Sequence, residues 1–108
     1  MRQLYLQGLD LGENLLRSLD ARLLAGLPAL RKLDLSDNRL ATLQGSPFSP
    51  APLLEHVNLS GNALQALPAA ALGPLRALYE LDISNNRLIS LPMHPGRALD
   101  GYVLLGRM

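Results

Sequence analysis

Four asparagines, Asn14, Asn38, Asn62 and Asn86, stand 24 residues apart without a slip. Each sits in the same apolar frame. Residues 54–67 read L-E-H-V-N-L-S-G-N-A-L-Q-A-L, with Leu54, Val57, Leu59, Asn62, Leu64 and Leu67 as the marks. The frame returns at Leu30, Leu33, Leu35, Asn38, Leu40 and Leu43, and again at Leu78, Leu81, Ile83, Asn86, Leu88 and Leu91. An earlier copy runs Leu6, Leu9, Leu11, Asn14, Leu16 and Leu19. A fixed period of this length means stacked structural repeats, in which each unit buries its apolar face only against its neighbours.

Within a copy, L-x-x-L-x-L turns Leu9 and Leu11, Leu33 and Leu35, Val57 and Leu59, and Leu81 and Ile83 inward. The residues between them face out. Only about three residues alternate, so each strand is short, and like strands should stack ~4.8 Å apart as a parallel sheet. The asparagine follows at a turn, where backbone groups have no ladder partner. Its amide can both donate and accept there. The return path carries a second apolar set. Asp20 to Leu27 and Ala69 to Leu75 predict short helical turns. Residues 44–52 hold Pro47, Pro50 and Pro52, and predict irregular extended chain.

The frame L-x-x-L-x-L-x-x-N-x-L-x-x-L resembles the leucine-rich repeat, and its length is similar to the typical 24-residue subclass. That subclass is common in secreted proteins and receptor ectodomains. It places an apolar residue, often Phe, five positions after the last leucine, and a leucine three further on. Those positions hold Leu24 and Leu27, Phe48 and Ala51, Leu72 and Leu75. The resemblance covers residues 6 to 101. It implies an α/β fold: a right-handed leucine-rich repeat solenoid of about four repeats. Short parallel strands line the concave face, and the convex side is irregular or short-helical. The expected organisation is one domain, 1–108, with repeats 6–29, 30–53, 54–77 and 78–101 and a degenerate end at 102–108.

The two ends depart from the frame. Leu4-Tyr5-Leu6 competes with Leu6 to Leu11 as the first strand, and the second alignment is preferred because it leads to Asn14. After Leu91 the pattern fades, with Gly96 where the frame wants Phe or Leu, although Leu99 still fits. A fifth strand would begin at Tyr102 and want apolar residues at 105 and 107; Leu105 fits and Arg107 does not. Open ends of this kind leave apolar repeat faces uncovered, so end-to-end self-association is an expected partner mode.

Composition narrows the function classes. Ten basic and 9 acidic residues give a net charge of +1, which argues against a general nucleic-acid or membrane-surface binder. No apolar run approaches the ~18 residues that span a bilayer, so no direct membrane insertion is expected. The absence of cysteine excludes disulfides, thiolate metal sites and cysteine nucleophiles. The chain enters the repeat at once, which reads as lacking a secretory leader. The resemblance nevertheless implies an extracellular or cell-surface setting. The lack of cysteine-rich caps and of a leader favours a cytoplasmic alternative.

The outward strand positions form rows across the sheet. One is Gly8, Lys32, His56, Glu80; the next is Asp10, Asp34, Asn58, Asp82. Gly12, Ser36, Ser60, Ser84 follow, and then Glu13, Asp37, Gly61, Asn85. Arg31 and Tyr79 flank them. The candidate ligand-binding face is Lys32, Asp34, His56, Asn58, Tyr79, Glu80 and Asp82, with acidic groups steering a basic patch on a protein ligand. Against this stands the plainer reading of a solvated face bearing common repeat residues. His56 between Lys32 and Glu80 lacks the converging donors of a metal site. Ser60 lies four residues along the strand from it, roughly 13 Å at about 3.3 Å per residue, too far for a nucleophile–base pair. No metal, cofactor or enzymatic activity is expected. Asn58-Leu59-Ser60 is an N-x-S acceptor sequence, so Asn58 is a candidate for N-glycosylation. The sequence thus predicts a non-enzymatic protein-interaction module. The alternatives are a structural segment of a longer repeat receptor or secreted protein, without autonomous binding, and an intracellular scaffold.

Overall fold

The computed structural model describes residues 6–43, 46–67, 69–88 and 103–105. The alternating segments form strands β1 (Gly8–Asp10), β2 (Lys32–Asp34), β3 (His56–Asn58) and β4 (Glu80–Asp82). A fifth strand, β5 (Val103–Leu105), completes one parallel sheet in the order β1-β2-β3-β4-β5. Leu9, Leu33, Val57 and Leu81 lie opposite one another in register. The first strand therefore follows the alignment that leads to Asn14. The Leu4-Tyr5 alternative lies outside the described residues, as do Leu91, Gly96 and Leu99.

The fifth strand departs from the expected frame. Leu104, and not Leu105, sits opposite Leu81. The step is 23 residues where the others are 24. Pairing with β4 sets this register.

The return path also differs from one expectation. Residues 47–50 are turns, not extended chain. Ser49 N donates to Ser46 O at 3.1 Å, closing a turn with Pro47 at its second position, where proline's fixed φ fits. Ala51 N then donates to Phe48 O, and Leu54 N to Ala51 O. Leu27 and Leu30 repeat this three-residue ladder from Leu24, and Leu75 and Leu78 repeat it from Leu72. A step of three residues per turn brings every third side chain to one side. This is why Phe48, Ala51 and Leu54 are all fully buried. A 3-10 turn at Ala21–Leu23 precedes the first ladder, and a short helix, α1 (Ala69–Leu72), leads into the third.

The core is a stack of leucine layers closed by Phe48. Leu33, Leu35 and Leu40 are buried, whereas their first-repeat equivalents Leu9, Leu11 and Leu16 are only half-buried and Leu15 is 69% exposed. Burial therefore falls off toward β1, on whose outer side no described residue stacks.

Candidate protein-binding face

At the start of each strand two successive amides share one carbonyl. Arg31 N and Lys32 N both donate to Gln7 O, Glu55 N and His56 N to Arg31 O, and Tyr79 N and Glu80 N to Glu55 O. This is the two-against-one pattern of a β-bulge. It suspends the alternation, so two adjacent residues per repeat face outward. The row Gln7, Arg31, Glu55, Tyr79 thereby joins the row Gly8, Lys32, His56, Glu80. Gln7 and Glu55 were missed by reading strict alternation. The only hint lay in the charge of Arg31 and Glu55 at equivalent positions.

Cross-strand contacts organise these rows. Arg31 Nη1 donates to Glu55 Oε2 at 2.8 Å, with side chains 45% and 39% exposed, so the pair is screened and contributes no more than ~1 kcal/mol. His56 Nδ1 lies 3.2 Å from Glu80 Oε1. Tyr79 meets the His56 ring edge-on, with centroids 5.6 Å apart. Lys32 stands opposite His56 on the other side. Lys32, His56, Glu80 and Tyr79 are therefore brought together.

Asp34, Asn58 and Asp82 have a second task. Each Oδ1 accepts the amide two residues on: Ser36 N at 2.8 Å, Ser60 N at 2.9 Å and Ser84 N at 3.0 Å. Asp10 does the same for Gly12 N. Ser60 Oγ and Ser84 Oγ also donate to these oxygens at 2.7 Å. The row is half-buried from Asp34 onward and locked against the end of the strand. The Ser60 hydroxyl is thus engaged with Asn58.

Beyond the serines the chain turns a corner through left-handed backbone at Glu13 (φ 58°), Asp37 (φ 55°), Gly61 (φ 69°) and Asn85 (φ 56°). A Cβ on Gly61 would fall on Asp37 Oδ1, so the glycine makes room for the neighbouring carboxylate. One residue later the asparagine column bridges repeats. Asn62 Nδ2 donates to Leu59 O and to Leu35 O of the preceding repeat, both at 3.0 Å, and its Oδ1 accepts Leu40 N at 3.0 Å. Asn38 and Asn86 repeat this one period on either side.

The result is a face with a depression of about 410 Å³ over β1–β4, bordered by Lys32, Asp34, His56, Asn58, Glu80 and Asp82. A smaller one of about 200 Å³ lies at the corner among Asp10, Glu13, Asp34 and Asp37. Among the described residues no group of three or more histidines or carboxylates is placed to hold a metal ion. Charge is segregated. Among the described residues, Asp10, Glu13, Asp34, Asp37, Glu55, Glu80 and Asp82 are seven of eight acidic ones, against two of seven basic ones, Arg31 and Lys32. The near-neutral total conceals an acidic face.

The frame and the geometry have known counterparts. The family model described as leucine rich repeat matches residues 3–40 and 30–88. A search of curated proteins by sequence finds no match. Among solved structures, the chain is similar to one in the Drosophila Toll–Spätzle complex, with 34% identity and a TM-score of 0.80 over 89% of its length. It is also similar to one in the TLR13–ssRNA13 complex, with 29% identity and a TM-score of 0.82 over 91%. It spans 13% and 14% of those two longer chains. One similar protein is thus held with a protein and the other with single-stranded RNA, so the fold by itself does not exclude nucleic acid, contrary to the expectation from net charge. Through a frame matched from residue 3 to residue 88, and through the stacked parallel strands which that frame builds, the chain belongs to the leucine-rich repeat family.

Proposed function

We propose that the chain is a non-enzymatic recognition module that takes a protein ligand on its concave face. Lys32, Asp34, His56, Asn58, Tyr79, Glu80 and Asp82 are the contact residues. The observation that carries this reading is the concentration of acidic groups on a face where Asp34, Asn58 and Asp82 are tied to the strand ends by hydrogen bonds. Such a face loses little side-chain freedom on binding. Its charge attracts a ligand segment carrying lysine or arginine, and repels a phosphate backbone. The likeness to a protein held in the Toll–Spätzle complex supports a protein ligand and an extracellular or cell-surface setting.

The test is a double variant, Asp34→Asn with Asp82→Asn, against a ligand selected from a cationic-peptide library. Asparagine keeps the Oδ1 acceptor that holds the strand end, as Asn58 already does, and removes only charge. Affinity should fall at least tenfold, with a steep dependence on salt. An unchanged affinity in a folded variant rejects the concave face as the site.

One feature favours a second reading. The chain spans about one-seventh of the similar chains in the Toll–Spätzle and TLR13 complexes. It would then be a structural segment of a longer array, contributing surface to a site shared with other repeats. N-glycosylation at Asn58 would also move binding to the flanks, because a glycan there stands on the concave face. Peptide mapping of the chain secreted from a eukaryotic host tests this directly.

A further inference from the structure

The middle of the concave face holds a histidine whose ring is oriented by a carboxylate. His56 Nδ1 lies 3.2 Å from Glu80 Oε1, and an ionised carboxylate only accepts. The proton of the neutral imidazole therefore sits on Nδ1, and Nε2 is an acceptor. No described residue bonds to Nε2. Two further acceptors are also without partners among the described residues. One is Glu80 Oε2. The other is Asp82 Oδ2, whose sister oxygen takes Ser84 N and Ser84 Oγ. His56, Glu80 and Asp82 border the same depression. Tyr79 meets the imidazole with centroids 5.6 Å apart and is 61% exposed, so an aromatic surface flanks the three acceptors. On the other side of His56 stands Lys32, exposed and without an ion-pair partner among the described residues. Its ammonium turns a cation away from β2 and toward β4.

We propose that His56, Glu80 and Asp82 form a subsite for one arginine side chain of the ligand, with Tyr79 alongside the guanidinium. This rests on the reading of the concave face as a site for a cationic protein segment, and it names the residue that the segment presents. Three acceptors on separate side chains call for donors spread over a plane. A guanidinium carries five in a rigid fork, whereas an ammonium carries three on one atom. The guanidinium is also the less strongly hydrated of the two and stacks on aromatic rings. The face already holds one of its own in this way, since Arg31 Nη1 donates to Glu55 Oε2 at 2.8 Å in the adjoining row. His56 makes the subsite sensitive to protons. A second proton turns Nε2 into a donor and places a positive charge beside the bound guanidinium. Around the ring stand Arg31, Lys32 and Asp34 on the β2 side, Tyr79, Glu80 and Asp82 on the β4 side, and Glu55 next to it in the chain. The imidazolium keeps its contact with Glu80, while the arginine loses an acceptor and gains a like-charged neighbour.

NMR titration of the isotopically labelled chain with N-acetyl-arginine amide tests this, with N-acetyl-lysine amide and the uncharged N-acetyl-citrulline amide as comparisons. Arginine should shift the backbone amides of His56, Asn58, Glu80 and Asp82. Lysine should bind at least about fivefold more weakly, and citrulline should leave these amides unmoved. Arginine affinity should fall at least about fivefold from about pH 7.5 to about pH 5.5, the range in which histidine ordinarily titrates, and His56→Gln should abolish that fall. Imidazole nitrogen shifts of the parent at about pH 7.5 should report the Nδ1–H tautomer, and Glu80→Gln should move the population toward Nε2–H. Four outcomes would each overturn the inference: arginine that shifts none of these amides, lysine bound as tightly as arginine, an Nε2–H tautomer in the parent, or a pH response that survives His56→Gln. The broader reading would outlast any of them, because it is decided by the library-selected ligand and the Asp34→Asn, Asp82→Asn variant. Unchanged affinity in that variant would remove both.

Discussion

Asn62 shows what one residue contributes in this fold. It is buried, and it closes bonds to Leu35 O, Leu59 O, Ser60 O and Leu40 N. Alanine there strands several buried groups at once, so urea unfolding of Asn62→Ala should show a loss of about 3 kcal/mol. Asn14 is exposed and bonds only within its own repeat, and Asn14→Ala should cost less than about 1 kcal/mol by the same measurement. Equal losses at the two positions would remove the bridging role. Gly61→Ala meets both a left-handed backbone and the Asp37 carboxylate, and should cost about 1–2 kcal/mol. The asparagine column was legible because an amide at a fixed period has few other uses. The left-handed corner was not. Glu13 and Asp37 hold that conformation without being glycine, so only Gly61 and Asn85 hinted at it.

At the scale of the element, the three-residue ladders of the return path carry the larger side chains. Phe48 is fully buried where the neighbouring repeats have Leu24 and Leu72. Phe48→Ala should therefore lower stability by about 3–5 kcal/mol, while Phe48→Leu should lower it by less than about 1.5 kcal/mol. Thermal melts of the two variants check the contrast. The 3-10 turn has a cap of its own: Asp20 Oδ1 accepts Arg22 N, and its other carboxylate oxygen accepts from the Arg22 guanidinium at 3.1 Å. The side-chain bond to Arg22 holds the Asp20 carboxyl below its ordinary value and the guanidinium above its own. A lowered carboxylate favours the folded form above its unfolded value, and that contribution disappears as pH falls through the folded value. Both groups are fully exposed, so the effect is local. NMR titration of Asp20 should give a midpoint below that of an Asp20 in an Arg22→Ala variant. The positions of β1 to β4 were readable from alternation alone. The bulge that adds Gln7 and Glu55 to the face was not, since it arises from how neighbouring backbones bond. The turns at 47–50 were misread for a related reason: three prolines permit either extended chain or tight turns, and the need to bury Phe48 and Ala51 decides between them.

Over the whole molecule, stability is the sum of many like joints between neighbouring repeats. Amide exchange in dilute solution should be faster at Leu11 and Glu13 than at Leu35 and Leu59. All four amides donate to a following repeat, but only the latter two belong to repeats with described neighbours on both sides. A uniform rate would mean that the array unfolds as one unit. The fold was legible in the sequence because a 24-residue frame repeated in register has one stacking solution. The charge of the concave face was harder to see, since the total of +1 averages an acidic face with arginines elsewhere.

The asparagine bridges carry one more implication, for how such a chain changes over generations. Asn38 and Asn62 grip corresponding atoms of the unit behind them, and so does Asn86. Cutting out residues 54–77 as a block would bring Asn86 to Leu35 O and Leu40 N, the atoms that Asn62 holds now. Every joint would survive, and only the reach of the molecule would shorten. Whole-unit duplication or loss is thus a mutation to which the architecture is indifferent, while an insertion of any other length within the stack misaddresses every bridge across it. Selection can set the length of the recognition face without redesigning the scaffold that supports it.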